Sequence, residues 1–358
     1  MSAAEKSSVA IAASIETNDM RNDWSWIGAR KLLNGKTHGS GLVNRGCDCF
    51  VLAFLQLLTH LSAFVQFVMT IHPGECKQKE KCLCCDLRTS HMMRTFQSNK
   101  PLPIDWVDSH FERFFPRHRK GIQEDPMEAL ALFLDEIDGF SGVRDLIAEK
   151  HSPIDWMFRG FFKITDTCRI CKDSLVKYEP FRELGLSFNT VQKDQSASLP
   201  KMLKSHFSVE EVMDYKCHKC SRVGSADRTT SIDRAPNVLI VHLKRFANNL
   251  SKINDFIYPE ETLDIGECVH DRRDSAQYEL TGAIDHLGAD VASGHFVSYC
   301  RGTDGITWFK YDDHKVTRVD SIPQTMYILI YVNKQGAITT PTNNEKENNK
   351  KPVDKNKN

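Results

Sequence analysis

A polar loop that runs directly into an apolar segment is the feature that most constrains the fold of this chain. The loop spans residues 41–48, and the segment that follows, residues 50–58, has a single polar residue, Gln56. An apolar segment of this kind predicts a buried helix rather than an amphipathic surface helix. Cys49 therefore lies where the loop becomes a helix, and the partial positive charge of a helix N-terminus favours a thiolate. The position predicts a nucleophilic cysteine, with a core cysteine as the alternative.

The length and charge of the chain argue against several classes of protein. Its 358 residues are enough for one large domain or two, and its formal net charge of zero gives no field that would attract nucleic acid or a membrane surface. The first residues lack the basic segment of a secretory signal, and polar residues interrupt every long apolar run. Twelve cysteines without such a signal predict thiols and metal ligands rather than disulfides. We therefore expect a protein of the cytoplasm or nucleus.

Two Cys-x-x-Cys pairs give the strongest metal-binding signal in the sequence. Cys168 and Cys171 form the first pair, and Cys217 and Cys220 form the second. Four cysteines in this pattern are typical of a tetrahedral zinc site. Because four thiolates leave no open coordination position, the predicted role of the Zn²⁺ is structural, closing a long hairpin-like excursion. A zinc ribbon that binds nucleic acid is a weaker alternative, because acids balance the basic residues nearby.

A second group of potential ligands lies in residues 72–85. The candidate ligands are His72, Cys76, Cys82, Cys84 and Cys85, and the spacing between Cys82 and Cys85 suits chelation. The spacing to Cys76 is irregular, however, and the segment is rich in lysine. Two interpretations stay open: a second metal site or, as the favoured one, a cluster of reduced cysteines in a loop.

A helix with an acidic start is predicted within residues 123–140. Pro126 suits a first helical turn, with Asp125 as the N-cap. Asp125 and Glu128 either complement the helix dipole or face a basic peptide. Residues 101–120, just before it, are predicted to be a loop with an amphipathic turn. Four apolar residues recur at helical spacing and predict the core-facing side of the helix: Met127, Leu130, Leu134 and Ile137.

A hairpin near the C-terminus is predicted to bring a histidine next to carboxylates. Residues 294–301 and 307–313 alternate as strands do, and an Asp-Gly turn signal lies between them. Antiparallel pairing makes the outer ends of a hairpin neighbours, which places His295 beside Asp312 and Asp313. A histidine held by a carboxylate is the general base that a cysteine nucleophile requires.

Other histidines compete for this role, because the chain has 14 of them. His286 is the main competitor, and an incidental His–Asp pair on a surface hairpin is the alternative. His242 lies in a continuous apolar run at residues 237–246, which predicts a central buried strand. We interpret His242 as a core or supporting residue rather than as a catalyst.

The composition changes near both ends of the chain. Residues 1–38 are polar, with Trp24 and Trp26 as the only strong anchors, and are predicted to form a flexible arm. Residues 334–358 are rich in lysine and asparagine and lack aromatic residues, which predicts a disordered tail. Residues 39–333 remain as the folded domain.

Five segments, in this order, resemble the ubiquitin-specific proteases, a family of papain-like cysteine deubiquitinases. The resemblance is collinear over residues 40–332. The matching segments are similar to the cysteine box (residues 41–56), the Gln-x-Asp-x-x-Glu segment (123–137), the zinc fingers (the two Cys-x-x-Cys pairs), a core strand (238–246) and the histidine box (278–300 with 308–316) of the family.

The resemblance implies an α+β fold, that of a papain-like cysteine peptidase with thumb, palm and zinc-bearing fingers subdomains. A helical thumb would carry Cys49, and a palm sheet would carry His295 and Asp312. The fingers would span roughly residues 160–235 of a catalytic domain at residues 39–333. The implied partners are ubiquitin and ubiquitinated proteins, with no nucleic acid or membrane partner expected.

The resemblance also assigns roles to individual residues. Cys49 is matched to the nucleophile, His295 to the base and Asp312 to the residue that orients the base. Asp313 is similar to a neighbouring acid that supports the site. Asn44 matches a side chain that helps to form the oxyanion hole.

Two further residues match the part of the family that holds the substrate. Asp125 and Glu128 match acids that contact the arginines of the C-terminal tail of ubiquitin. Gly294, at the start of the hairpin, leaves room beside His295 and is a third candidate for substrate binding. The resemblance therefore implies a thiol isopeptidase that hydrolyses the bond after the C-terminal glycine of ubiquitin.

The residues next to Cys49 depart from the family pattern. Cys47 and Asp48 replace a usual Asn-Thr, and residues 50–53 replace a usual Tyr-Met-Asn-Ser. An unpaired Asp48 would disfavour a thiolate beside it. A ubiquitin-binding scaffold with weak or absent activity is therefore the alternative function.

Overall fold

The computed structural model describes residues 36–76, 81–117, 121–140, 152–188, 198–246, 251–270, 276–288 and 294–334. The predicted flexible arm lies outside these residues except for residues 36–38. The predicted disordered tail lies outside them except for residue 334. Both therefore stay predictions from composition.

The first part of the described chain is helical. Its first helix, α1, spans Cys49–Thr59 and is buried along its whole length, as the apolar sequence predicts. The remaining helical elements are α2 (Ser62–Gln66), a π-helical segment (Phe67–Ile71), α3 (His72–Glu75), α4 (Leu83–Asp86), a second π-helical segment (Leu87–Met92), α5 (Met93–Thr95), α6 (Asp105–Phe114), α7 (Pro126–Phe140), α8 (Pro153–Phe158) and, after the third strand, α9 (Leu199–His206).

The start and the buried face of α7 agree with the sequence prediction. Pro126 is its first residue, and the Oδ1 atom of Asp125 accepts a hydrogen bond from the backbone N–H of Met127 at 2.6 Å. Asp125 therefore caps the helix. The four apolar residues predicted to face the core are all buried.

The prediction of a loop at residues 101–120 is wrong, because α6 occupies Asp105–Phe114. Val107 and His110 are buried, whereas Asp105 and Asp108 are exposed. Only the amphipathic character of the prediction holds, because the exposed acids lie on the solvent side of an amphipathic helix.

Two sheets follow the helices. The smaller has four strands in the order β2-β1-β5-β4, and the larger has eight in the order β11-β10-β9-β8-β12-β6-β3, with β7 paired to β8. The strands are β1 (Gly160–Cys168), β2 (Ser174–Phe181), β3 (Glu183–Ser187), β4 (Glu210–Lys216), β5 (Val223–Arg234), β6 (Val238–Lys244), β7 (Thr262–Asp264), β8 (Gln277–Leu287), β9 (His295–Arg301), β10 (Trp308–Asp312), β11 (Lys315–Val319) and β12 (Met326–Asn333).

The larger sheet is covered on both faces, which explains the continuous apolar run in β6. Val238 and Ile240 pack in the hydrophobic cluster that contains α1, whereas Leu239 and Val241 pack in a second cluster on the other face. A strand buried on both faces has no polar side to show in its sequence. Helix α1 lies across this sheet, so the sheet positions the first residue of α1.

Within the described residues, no single helix is long and apolar enough to span a membrane. One pair of helices, Cys49–Thr59 with Ser62–Ile71, passes the same test on length and composition, with a bend of 85° between its members.

Candidate active site

The loop before α1 lies directly against the turn that follows β10. The backbone N–H of Leu42 donates a hydrogen bond to the carbonyl of Asp313 at 2.9 Å. Gly41 leaves no room for a side chain, because an added Cβ would lie 2.2 Å from the carbonyl oxygen of His314. These contacts fix the start of the cysteine loop against the carboxylates, which are distant in sequence.

His295 lies between an acid and the thiol, as the hairpin predicts. The strands β9 and β10 pair antiparallel, and the Nε2 atom of His295 lies 2.9 Å from Oδ1 of Asp312 and 3.9 Å from Oδ2 of Asp313. The pKa of His295 is raised to about 9, and the largest cause is a hydrogen bond with Cys49. Burial lowers this pKa, whereas the hydrogen bond with Asp312 and the charge of Asp313 raise it further. Because Nε2 of His295 is bound to Asp312, the other ring nitrogen, Nδ1, is the one available to exchange a proton with Cys49. The imidazole is therefore charged at neutral pH and can pair with a thiolate.

Asp312 is held as an anion. Burial opposes its ionisation, but hydrogen bonds from Lys310 and His295 lower the pKa of Asp312 below its usual value. The Nζ atom of Lys310 lies 2.9 Å from Oδ2 of Asp312, so each carboxylate oxygen has one donor. An anion in this position fixes the orientation of the imidazole.

Asn44 is fixed in the loop by three hydrogen bonds. Its Oδ1 atom accepts from the backbone N–H groups of Gly46 at 2.9 Å and Asp48 at 3.2 Å. Because these N–H groups can only donate, the amide orientation is set, and Nδ2 donates to Oδ2 of Asp313 at 3.0 Å. Asp313 itself has a left-handed backbone with φ of 52°. Asn44 and Asp313 thus connect the cysteine loop to the hairpin that carries His295.

The negative charge of Asp48 is paired in the structure. The Nε atom of Arg45 lies 2.8 Å from Oδ2 of Asp48, and an Arg45 Nη1 lies 2.7 Å from Oδ2 of Asp108 on α6. Burial opposes the charged form of Arg45, but the hydrogen bonds with both acids raise its pKa. The sequence suggested that an unpaired Asp48 would disfavour a thiolate at Cys49. Because Asp48 is paired with Arg45, this argument against a thiolate does not hold.

Gln123 also reaches the thiol, and sequence reasoning missed it. Its Nε2 atom lies 3.7 Å from Sγ of Cys49. The signal was present, because Gln123 is the first residue of the Gln-x-Asp-x-x-Glu segment. An amide N–H at this distance can stabilise a sulfur anion.

The residues matched to substrate binding lie on two elements. Asp125 caps α7 with Oδ1, and its Oδ2 accepts a hydrogen bond from the hydroxyl of Tyr327. Glu128 is exposed on the first turn of the same helix. Gly294 is exposed immediately before His295, and a Cβ added to it would lie 2.1 Å from Nε2 of His286. Glycine is therefore required at this position for close packing.

The two other histidines considered from the sequence are placed in the large sheet. His286 is buried and packs against the ring of Phe296, with centroids 4.7 Å apart. His242 contacts the ring of Tyr327 edge-on at 4.8 Å, and Tyr327 in turn binds Asp125. This placement favours a supporting role for His242.

The four cysteines of the Cys-x-x-Cys pairs converge at the end of the smaller sheet. Their sulfur atoms all lie within 4.8 Å of one another, and Sγ of Cys171 is 3.6 Å from Sγ of Cys217. A disulfide would need about 2.05 Å, whereas two thiolates on one tetrahedral zinc lie about 3.8 Å apart. The cluster therefore has the donor set and the spacing to hold a metal ion.

The two pairs have the same local fold. In the first, Cys168 donates its backbone N–H to Asp173 and accepts from Lys172; in the second, Cys217 donates to Arg222 and accepts from Ser221. Lys172 and Ser221 have left-handed backbones, with φ of 61° and 56°. None of the twelve cysteines forms a disulfide bond in the structure.

Comparison with known proteins decides the family. A sequence profile described as ubiquitin carboxyl-terminal hydrolase matches residues 40–331. The chain belongs to this family. It is accordingly a cysteine-type deubiquitinase with the α+β, papain-like fold that the resemblance implies.

Individual members of the family cover most of the chain. A probable ubiquitin carboxyl-terminal hydrolase 16 of Schizosaccharomyces pombe is 28% identical over 89% of this chain and 71% of its own length. Ubiquitin carboxyl-terminal hydrolase 21 of Arabidopsis thaliana is 28% identical over 82% of this chain, but over only 42% of its own length. A solved structure of the SAGA DUB module containing Ubp8, bound to monoubiquitin, is similar with a TM-score of 0.72, 26% identity, and coverage of 83% of this chain and 69% of that chain.

The pairing of Arg45 with Asp48 leads to a first prediction for this ubiquitin hydrolase. Changing Arg45→Met leaves the Asp48 charge uncompensated near Cys49 and disfavours the thiolate. We expect kcat/KM for ubiquitin hydrolysis to fall by about tenfold, since contacting charges couple by roughly 0.5–3 kcal/mol. The double change Arg45→Met with Asp48→Asn should restore activity to within about threefold, and steady-state kinetics of the three variants measures the coupling. Equal losses in the single and double variants would contradict the electrostatic role of Arg45.

Proposed function

We propose that this chain removes ubiquitin from modified proteins with Cys49 as nucleophile, His295 as base and Asp312 as the residue that orients the base. The observation that carries the proposal is the position of His295, with Cys49 on one side and Asp312 on the other. The three side chains come from helix α1 and strands β9 and β10, which the large sheet holds together.

The charged His295 makes the first chemical step possible. The Cys49 thiolate attacks the carbonyl carbon of the C-terminal glycine of ubiquitin, and the carbonyl oxygen becomes an anion. Backbone N–H groups at the start of α1 can stabilise this oxyanion, together with the second hydrogen on Nδ2 of Asn44. The imidazolium of His295 then gives its Nδ1 proton to the departing amine, which leaves ubiquitin as a thioester on Cys49.

The second step regenerates the thiol site. His295 is now neutral and accepts a proton from a water molecule that attacks the thioester carbonyl. The carbon–sulfur bond breaks, ubiquitin leaves as a carboxylic acid that releases its proton to solvent, and the thiolate pairs again with the imidazolium. Asp312 keeps the same imidazole orientation in both steps.

We further propose that ubiquitin is held by acids near the start of α7. A carboxylate accepts up to about four hydrogen bonds, and Asp125 uses one on each oxygen, which leaves acceptor capacity for an arginine. Glu128 is exposed on the first turn of the helix that Asp125 caps. The similar Ubp8 module is bound to monoubiquitin, which supports ubiquitin as the substrate.

The test uses ubiquitin with a fluorogenic group on its C-terminal glycine. We expect release of the fluorophore and, with ubiquitin that ends in an electrophile, a mass increase of one ubiquitin on Cys49. Ubiquitin without its two terminal glycines should neither react nor compete well. A second assay uses a ubiquitin-like modifier that carries the same fluorophore. Release from ubiquitin alone indicates specificity for ubiquitin, whereas release from both indicates a broader substrate range. An inert chain in both assays would favour the scaffold alternative.

We propose that the four cysteines of the smaller sheet, Cys168, Cys171, Cys217 and Cys220, hold a structural Zn²⁺. Their thiolates would fill all four coordination positions, so the ion would tie the β1–β2 turn to the β4–β5 turn and take no part in hydrolysis. The matching backbone hydrogen bonds of the two pairs support this role.

Removing this metal gives a second prediction. The variant Cys171→Ser with Cys220→Ser should lose one zinc equivalent and expose the amides of β4 and β5 to hydrogen exchange at least about tenfold faster. Cys268→Ser is the control, because Cys268 is buried outside the cluster. Metal analysis and hydrogen-exchange mass spectrometry make the comparison, and unchanged zinc in the double variant would contradict the assignment.

We also propose that the protein is located in the cytoplasm or nucleus, which fluorescence microscopy of the tagged chain tests.

A further inference from the structure

A tyrosine of the large sheet binds the start of the helix that carries the proposed substrate-binding acids. Tyr327 lies on β12, in the same sheet as His295, whereas Asp125 caps α7 in the layer of helices. The hydroxyl of Tyr327 donates a hydrogen bond to Oδ2 of Asp125. We propose that Tyr327 is a positioning residue for substrate binding, which fixes the carboxylate of Asp125 for the basic tail of ubiquitin. The inference rests on the proposed function, because it concerns the acid that would hold this tail.

A β-bulge in β12 explains why the side chain of Tyr327 reaches α7. Met326 and Ile328 pair with two consecutive residues of β8, which leaves Tyr327 between them as the extra residue of the bulge. The alternation of the strand is interrupted there, because Tyr327 and Ile328 both pack in the hydrophobic cluster that contains α1. In a regular strand these two neighbours would point to opposite faces of the sheet. Bulges re-aim side chains in this way and are frequent next to active sites.

Three aromatic rings hold the phenol ring of Tyr327. His242 on β6 contacts it edge-on, with ring centroids 4.8 Å apart, and the centroids of Phe246 and Phe296 lie 5.5 Å and 6.0 Å away. Tyr327 itself is only 1% exposed. Because a closely packed ring has little room to move, its hydroxyl stays at Asp125.

The carboxylate of Asp125 is anchored at both oxygens by two different elements. Oδ1 accepts a hydrogen bond from the backbone N–H of Met127 at 2.6 Å, and Oδ2 accepts the one from Tyr327. The outer torsion of an aspartate side chain is soft, so the cap alone would let the second oxygen rotate. Two anchors fix the plane of the carboxylate. Because arginine binds a carboxylate through planar, directional hydrogen bonds, this plane determines how well the acid receives a guanidinium.

A neutral donor suits this role better than a cation. Burial and the negative charge of Asp125 raise the pKa of Tyr327 well above its usual value, so its hydroxyl keeps the proton that it donates. A lysine or arginine in its place would neutralise the carboxylate and compete with the substrate. The phenol holds the acid and leaves its negative charge for the arginine.

The same tyrosine relates the acid to the proposed base. Phe296, which packs against Tyr327, directly follows His295 on β9. Asp125 and His295 are therefore connected through packed rings and one hydrogen bond. A tail that binds at Asp125 would meet Cys49 at a set distance, which attack on its terminal carbonyl requires.

The experiment compares two tyrosines of the same strand. Tyr327→Phe removes only the hydroxyl, and we expect KM for fluorogenic ubiquitin to rise by about tenfold, with kcat within about twofold. Tyr331→Phe is the matched control, because Tyr331 packs on the other face of the sheet and donates its hydroxyl to the carbonyl of Glu260. Its KM should stay within about twofold of the unchanged protein. An equal KM in Tyr327→Phe and the unchanged protein would overturn the proposal while leaving the proposed hydrolysis intact.

A second substrate separates the positioning role from a structural one. On ubiquitin whose tail arginines are replaced by leucine, Tyr327→Phe should change KM by less than about twofold, since the acid then has no cation to receive. A structural defect would raise KM by the same factor on both substrates, and that result would overturn the proposal. Calorimetry with unmodified ubiquitin makes the comparison without hydrolysis, so a failure of the proposed activity leaves this test in place. Binding should weaken by about tenfold in Tyr327→Phe, and an unchanged affinity would overturn the proposal.

A change on the other partner keeps the proposal testable if Tyr327→Phe does not fold. Asp125→Glu keeps the negative charge but moves the carboxylate by one methylene, away from the hydroxyl of Tyr327. We expect the affinity for ubiquitin to fall by at least about tenfold although the charge is kept. An unchanged affinity would show that charge alone is sufficient and would overturn the positioning role.

Discussion

Replacing Cys49 with serine should lower kcat/KM for ubiquitin hydrolysis by at least about 10,000-fold, because catalytic groups that act as a unit lose nearly all of their effect together. A hydroxyl is a far weaker acid than a thiol, so the charged His295 would face a neutral oxygen instead of a thiolate. The thiolate–imidazolium pair that the proposed mechanism requires could not form, and the imidazolium could not serve as a base for the hydroxyl. The affinity for ubiquitin should be unchanged, since the acids of α7 are untouched.

Cys47 provides the matched control two residues away. It is also a free cysteine, but it is only partly buried and lies on the loop before the helix begins. Cys47→Ser should keep kcat/KM within about threefold of the unchanged protein, since surface substitutions outside the machinery have small effects. Fluorogenic kinetics and ubiquitin affinity by calorimetry would be measured on both variants. A Cys49 variant that keeps more than about 1% of the activity, or an equal loss in both, would remove the nucleophile assignment.

The parts of the site that could be predicted are those set by local pattern. The apolar run after Cys49 favoured a buried helix, and the Asp-Gly turn signal indicated which strand ends are neighbours. His295 and Asp312 therefore came together from register alone. The N-cap at Asp125 followed from residue type and the next proline. Each of these needs only a few consecutive residues.

The parts that could not be predicted depend on contacts between distant segments. Arg45 and Asp48 are three residues apart, so their ion pair is compatible with the local sequence. The ion pair between Arg45 and Asp108 requires α6, which the sequence did not predict. The convergence of His72 with Cys85 depends on π-helical turns that have no simple residue pattern. The sequence spacing alone therefore did not predict that these side chains come together.

The helix that carries Cys49 is tied at both of its ends to the hairpin formed by β9 and β10. At the start, Leu42 in the preceding loop binds Asp313 in the turn after β10, and Cys49 binds His295 on β9. At the far end, Nε2 of His60 lies 2.7 Å from the hydroxyl of Tyr311, the residue before Asp312. Burial lowers the pKa of His60 to about 4, so its ring is neutral and links α1 to β10 by a hydrogen bond. Two such attachments keep the thiol and the acid at a fixed separation.

Asp312 and Asp313 are adjacent acids with different expected effects. Asp312→Asn should lower kcat/KM by roughly 100- to 10,000-fold, because an amide has only one acceptor atom and cannot serve both His295 and Lys310. Asp313→Asn should cost only about tenfold, since its side chain mainly holds Asn44 and lies 3.9 Å from the imidazole. Steady-state kinetics on the two isosteric variants separates the acid that orients the base from the acid that supports the loop.

The pH dependence distinguishes the same two acids in a second way. The pKa of His295 is raised to about 9, so the charged imidazole is present below that pH and is lost as the pH rises through it. Activity of the unchanged protein should therefore fall above pH 9 or so, when the thiolate loses its charged partner. Asp312→Asn removes a hydrogen bond that raises the pKa of His295, so the alkaline limb should move to lower pH. Asp313→Asn should move it in the same direction but by less, because only a more distant charge is lost. A pH profile of kcat/KM in which Asp313→Asn shifts the limb further than Asp312→Asn would reverse the two assignments.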